Sequence, residues 1–135
     1  MSQWIVVASR ADAQIFKRRA HGEPELVTRF HNPLGRRQER EELPTQPVFA
    51  SATSGGRTSP QEIARRFARQ IASFLEKARS GQAFDSLILV AEPRLLGAIK
   101  RCLSTPLSRM VARVESKDLA TIPVGKQKEI LHRTL

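Results

Sequence analysis

The sequence predicts an α/β protein in which one mixed, five-stranded sheet lies between helices, a three-layer α/β/α arrangement. Three observations carry this. Short β-branched runs near the N-terminus are separated by only a few residues, which favours hairpins. Two longer stretches with apolar residues at helical spacing follow. A continuous apolar run, SLILVA (86–91), lies between those stretches, as expected of a strand buried on both faces.

Taken in order, WIVVAS (4–9) is apolar and β-branched and reads as a buried strand. AQIFKR (13–18) reads as a second strand that turns polar as it leaves the core, and only Arg10, Ala11 and Asp12 separate the two. HGEP (21–24) is a turn, and ELVTRFH (25–31) alternates, with Leu26, Thr28 and Phe30 on one face. Asn32-Pro33-Leu34-Gly35 ends this antiparallel meander. Residues 36–58 hold mixed charges, two prolines and a glycine pair with no hydrophobic period, so a long loop is expected there.

The next stretch is helical. Ser59 suits the N-cap, Pro60 the first helical position, and Glu62 completes a Ser-x-x-Glu capping box. Ile63, Phe67, Ile71, Phe74, Leu75 and Ala78 form one apolar stripe, Arg65, Arg66 and Arg69 lie opposite, and Gly81 marks the C-cap region. After the strand at 86–91, Pro93 opens a second helix with Leu95, Leu96, Ile99, Cys102 and Leu103 on its buried side. Thr105-Pro106 starts a short helical turn through Met110, VARVES (111–116) is the last strand, and 124–133 is a terminal helix with Val124, Gln127, Ile130 and Leu131 inward. The order is therefore β-β-β-α-β-α-β-α over a single domain, 1–135. Right-handed helical crossovers make the later strands parallel. The arrangement resembles the ribonuclease-H-like one, with sheet order 3-2-1-4-5 and the second strand antiparallel to the rest.

The formal net charge is +10, spread along the chain rather than gathered in a tail. Such a charge concentrates anions and favours RNA or another polyanion as partner. The single cysteine, Cys102, rules out an internal disulfide framework and fits a reducing compartment. No membrane span and no signal peptide is visible, so the expected address is the cytoplasm.

Catalytic chemistry finds little support. A metal-dependent nuclease needs convergent carboxylates, yet the first strand has none, Asp12 falls in the hairpin, and Asp85 and Glu92 flank opposite ends of the fourth strand. His21, His31 and His132 lack metal-ligand spacing. Cys102 sits at core spacing with no evident activating base. No catalytic residue, cofactor or metal site is expected. What remains is Gly55-Gly56-Arg57. Paired glycines let backbone N–H groups approach a ligand, the helix N-terminus behind them attracts anions, and Arg57 adds a bidentate phosphate donor. Arg65, Arg66 and Arg69 extend that charge along the helix. The competing interpretation is a flexible loop before a helix whose arginines only solvate its outer face.

Four stretches carry a family resemblance: WIVVASRADAQIF (4–16), RFHNPLGR (29–36), RRFARQIASFLEKARSGQAFDSLILVAEPRLLGAIK (65–100) and KDL (117–119). The chain resembles the bacterial host attachment family, proteins required for attachment to host cells. That family is in turn similar to the middle domain of archaeal and eukaryotic peptide-chain release factors, which has a translation-machinery-component-like topology and carries a Gly-Gly-Gln tip before its long helix. Gly55 and Gly56 occupy the corresponding place, but Arg57 stands where the glutamine would be, which argues against peptidyl-tRNA hydrolysis. Separate stop-codon-reading or factor-recruiting domains are not expected in this chain. Ser9 stands where relatives commonly carry an aspartate.

The function expected first is a non-enzymatic basic module that binds RNA or the ribosome, through Gly55, Gly56, Arg57 and the arginines at 65, 66 and 69. Aromatic residues make up only 5% of the chain, so base-by-base reading of single strands on aromatic platforms is not expected. The alternative is a protein-interaction or regulatory factor in host or surface attachment. A third possibility, a hydrolase acting on a tRNA-linked or nucleotide substrate, lacks an identifiable general base.

Overall fold

A computed structural model describes residues 2–35, 59–119 and 122–134. Gly55, Gly56 and Arg57, with the rest of the loop expected over 36–58, lie outside the described residues.

The sheet has the order β3-β2-β1-β4-β5. Its strands are β1 (Gln3–Ala8), β2 (Asp12–Lys17), β3 (Glu25–His31), β4 (Ser86–Ala91) and β5 (Val111–Ser116). Strand β2 runs antiparallel to both its neighbours, β1 and β3, whereas β1, β4 and β5 are mutually parallel. This is the expected order and polarity. The hydrophobic runs explain which strands are central. From Trp4 to Ala8 and from Leu87 to Ala91 every side chain is buried, so neither face of β1 or β4 meets water. The alternating strands β3 and β5 form the two edges and are largely exposed.

Residues 33–35, expected as a turn, are helical, and the fully described helices are α1 (Pro60–Ser80), α2 (Pro93–Cys102), α3 (Thr105–Met110) and α4 (Val124–Thr134). One face of the sheet carries the main core. Trp4, Val6, Ile15, Leu87 and Leu89 meet Phe67, Ile71 and Leu75 of α1, Leu95 and Ile99 of α2, and Leu107 of α3. The other face is smaller. Ile5, Val7, Phe16, Ile88 and Val90 pack on Leu131 of α4, with Leu119 and Val124 at the margin. The aromatic side chains point inward: Trp4 lies against Phe74 and Phe84, and Phe30 meets Phe74 edge to face.

The helix signals act as predicted, with one difference in the capping box. Ser59 caps α1, its Oγ accepting from the Glu62 N–H at 3.1 Å. The Glu62 carboxylate turns forward to Arg65 (2.9 Å) and Arg66 (3.5 Å), so the cap is half of a capping box. At the other end Gly81 is the C-cap, as expected, with an ordinary φ, and the following Gln82 adopts φ +58°. Glu92 and Ser104 cap α2 and α3 through bonds to Leu95 N and Leu107 N. Among the described residues no helix is long and apolar enough to cross a membrane.

Candidate functional site

Helix α1 buries Ala64, Phe67, Ala68, Ile71, Ala72 and Leu75 and keeps its arginines outside. Arg65, Arg69, Ala72 and Glu76 recur at intervals of three and four, so they line one flank of the helix rather than its top. Helix α2 repeats the pattern with Arg94, Ala98 and Arg101 beside its buried Leu95, Leu96 and Ile99. Both helices sit on the same sheet face, and small residues at 64, 72 and 98 leave space between their outer halves.

That space is a cleft of about 650 Å³. Arg65 and Arg69 line one wall, Arg94 and Arg101 the other, and Ala64, Ala72, Ala98 and Leu107 form an apolar floor. Those four floor residues are each under 10% exposed. Ser73 and Ser104 add hydroxyls and Cys102 a thiol at the margin. One carboxylate, Glu76, shares the cleft with the four arginines. It is already engaged: the Arg79 guanidinium hydrogen-bonds it and holds its carboxyl below the usual range, and the Ser104 hydroxyl adds to this. Arg65 is tied to Glu62. Arg69, Arg94 and Arg101 have no acidic partner among the described residues. Among the described residues these three guanidiniums are uncommitted, so the cleft can take an anion, each guanidinium offering two parallel N–H donors.

Of the residues singled out in the sequence, Arg65 and Arg69 are brought together in this cleft. Arg66 is exposed on a neighbouring flank, paired with Glu62, and does not line it. Arg94 and Arg101 were missed. Their signal was present as spacing, because positions 94, 98 and 101 share one edge of a helix, but it carries no meaning until α2 is placed beside α1. Cys102, expected in the core, is half-buried and reaches the cleft margin.

The acids singled out in the sequence have structural partners, and Glu92 has Asp118 near it. Asp12 is buried and receives His31 Nδ1 at 2.8 Å. Asp85 accepts from the Ser2 N–H at one end of β4, while Glu92 caps α2 at the other. Among the described residues no group of three or more histidines, cysteines or acids could hold a metal ion. Ser9, just past β1, places its hydroxyl 3.4 Å from the Asp12 N–H and closes the hairpin.

Similar folds occur in solved structures. An archaeal protein superposes with a TM-score of 0.50 over 86% of this chain at 10% identity. A Ppx/GppA phosphatase from Aquifex aeolicus gives 0.47 over 86% at 10% identity, and an archaeal translation termination factor gives 0.46 over 98% at 11% identity. This chain spans 30%, 36% and 39% of their respective lengths, so the likeness concerns the fold of one part of each. No curated protein matches the chain in sequence. Residues 4–131 match the model of the family described as protein required for attachment to host cells, and the chain belongs to that family.

Proposed function

We propose that this member of the host attachment family is a non-enzymatic, translation-linked module that binds RNA or the ribosome. The observation that carries the reading is the convergence of Arg65, Arg69, Arg94 and Arg101 on one cleft whose single carboxylate is already engaged by Arg79. A net charge of +10 supports it, because long-range attraction would bring a polyanion to that face. In this reading Gly55, Gly56 and Arg57 also meet phosphate, and Arg66 supplies a further contact outside the cleft.

The test is co-purification of RNA and ribosomes from lysate at low and moderate salt. Wild type is compared with Arg57→Ala and with Arg69→Ala/Arg101→Ala. Salt-sensitive retention that is lost in the double variant is expected, since each phosphate contact removed lowers the salt dependence by about one counterion. Failure of the wild type to retain RNA even at low salt would overturn the reading. A second reading is a regulatory or protein-interaction factor in attachment. It takes its support from the family's own description, and it predicts equal RNA retention by all three proteins.

A further inference from the structure

The cleft is more than a charged surface. We propose that it seats one nucleotide unit, the base lying flat against the alanine floor and the phosphate held between arginines of the two walls. This deepens the RNA reading above and rests on it.

Shape comes first. A volume of about 650 Å³ falls within the range of about 300–1,000 Å³ typical of small-molecule sites. An RNA duplex could touch the outer guanidiniums but could not lower a base onto Ala98. The floor comes next. Ala64, Ala72 and Ala98 end at Cβ and are nearly buried, and with the buried Leu107 they present an apolar surface. Such a surface suits a planar ring. Among the described residues no aromatic ring is exposed for stacking, because Trp4 and the five described phenylalanines are buried or half-buried. Guanidinium planes can take that role, and Arg69, Arg94 and Arg101 are uncommitted among the described residues. Charge comes last. Three guanidiniums without an acidic partner among the described residues call for a ligand with two or more negative charges, as a nucleotide phosphate or two consecutive phosphates supply. Gln61 and Ser73 at the margin can meet the polar edge of the ring. The same chemistry is offered by a free nucleotide and by an unpaired residue of an RNA strand.

The experiment fills the floor without touching the arginines. Ala98→Leu crowds it from below, and Ser73→Trp, at an exposed position on the rim, crowds it from the side. Fluorescence anisotropy follows labelled pentaadenylate and a labelled blunt RNA duplex of about 16 base pairs, with ADP as competitor and thermal unfolding as a check on the fold. Loss of at least about tenfold in pentaadenylate affinity in the filled variants, with duplex binding unchanged, is the expected result. Displacement of pentaadenylate by ADP would assign the seat to free nucleotides, and resistance to ADP would assign it to an RNA strand with flanking phosphates; either supports the seat. Pentaadenylate binding equally well to wild type and to Ser73→Trp, while Arg69→Ala/Arg101→Ala loses both RNAs, would overturn the seat and leave the RNA interface standing. No binding of either RNA by the wild type would overturn both. Should Ala98→Leu fail to fold, Ser73→Trp decides alone.

Discussion

Gly35 leaves no room for a side chain. A Cβ built on it would stand 1.8 Å from the Arg10 carbonyl oxygen and 2.9 Å from Asn32 Nδ2. Asn32 explains the close approach: its side chain donates to the Arg10 carbonyl at 2.7 Å and its backbone N–H to the Ala11 carbonyl at 2.8 Å. Together they clamp the segment after β3 across the β1–β2 hairpin. The obstacle is backbone, which cannot swing aside as a flexible side chain can. Gly35→Ala is therefore expected to cost about 1–3 kcal/mol or more, read as a lower urea midpoint with an unchanged slope. A variant as stable as the wild type would show that the clamp is not formed. The sequence identified Asn32-Pro33-Leu34-Gly35 as a turn from its residue types. It could not show what the glycine touches, because the contact joins residues 25 positions apart and depends on the packing of the hairpin.

Whole elements were the most legible level, and the reasons are local. Strand β4 declared itself as an unbroken apolar run, and α1 by an apolar stripe opened by Ser59 and Pro60. The C-terminus of α1 falls at Gly81, as the sequence indicated, and only the positive φ on the following Gln82 had no local signal. The cleft was half legible. Arg65 and Arg69 share a helix with the stripe that located them, whereas Arg94 and Arg101 acquire meaning only from the packing of α2 against α1. Convergence of elements also shapes a titration that no local pattern announces. The loop after β5 brings Asp118 near Glu92, which begins α2, and near Arg10, which follows β1. Loss of hydration raises the Asp118 pKa, the Glu92 carboxylate raises it further, and Arg10 partly opposes them. A carboxyl with a raised folded-state pKa adds stability that is fully present below the unfolded value. That stability is lost as pH rises through the folded value. At neutral pH the ionised Asp118 is therefore a net cost. Asp118→Asn is expected to be more stable than wild type at pH 7, by no more than a few tenths of a kcal/mol because water screens an exposed group. The gain should vanish near pH 3. Urea unfolding at the two values checks this, and a variant that is less stable at pH 7 would contradict it.

At the scale of the molecule, the sheet order follows from the hairpins and the right-handed crossovers, so topology was readable before any contact was known. The charge was equally plain, yet its consequence depends on arrangement. Excess positive charge repels itself across the surface and opposes the compact state. Local pairs such as Arg65–Glu62 and Arg113–Glu115 offset part of this, but both are largely exposed and each contributes little. Repulsion over a net +10 should outweigh them. Raising salt from low to physiological concentration shortens the reach of charge to about 8 Å, which weakens the many long-range repulsions more than the few contact pairs. The isolated protein is thus expected to gain about 1 kcal/mol, or roughly 3–5 °C in Tm. The same salt should weaken its hold on a polyanion. The two responses have opposite signs, and that separates them experimentally: differential scanning calorimetry of the nucleic-acid-free protein should show Tm rising with salt, whereas the complex with pentaadenylate should lose its extra stabilisation over the same range. A Tm that falls with salt in the free protein would mean that paired charges, rather than the arginines around the cleft, dominate its electrostatics, and the surface would then hold little attraction for a polyanion.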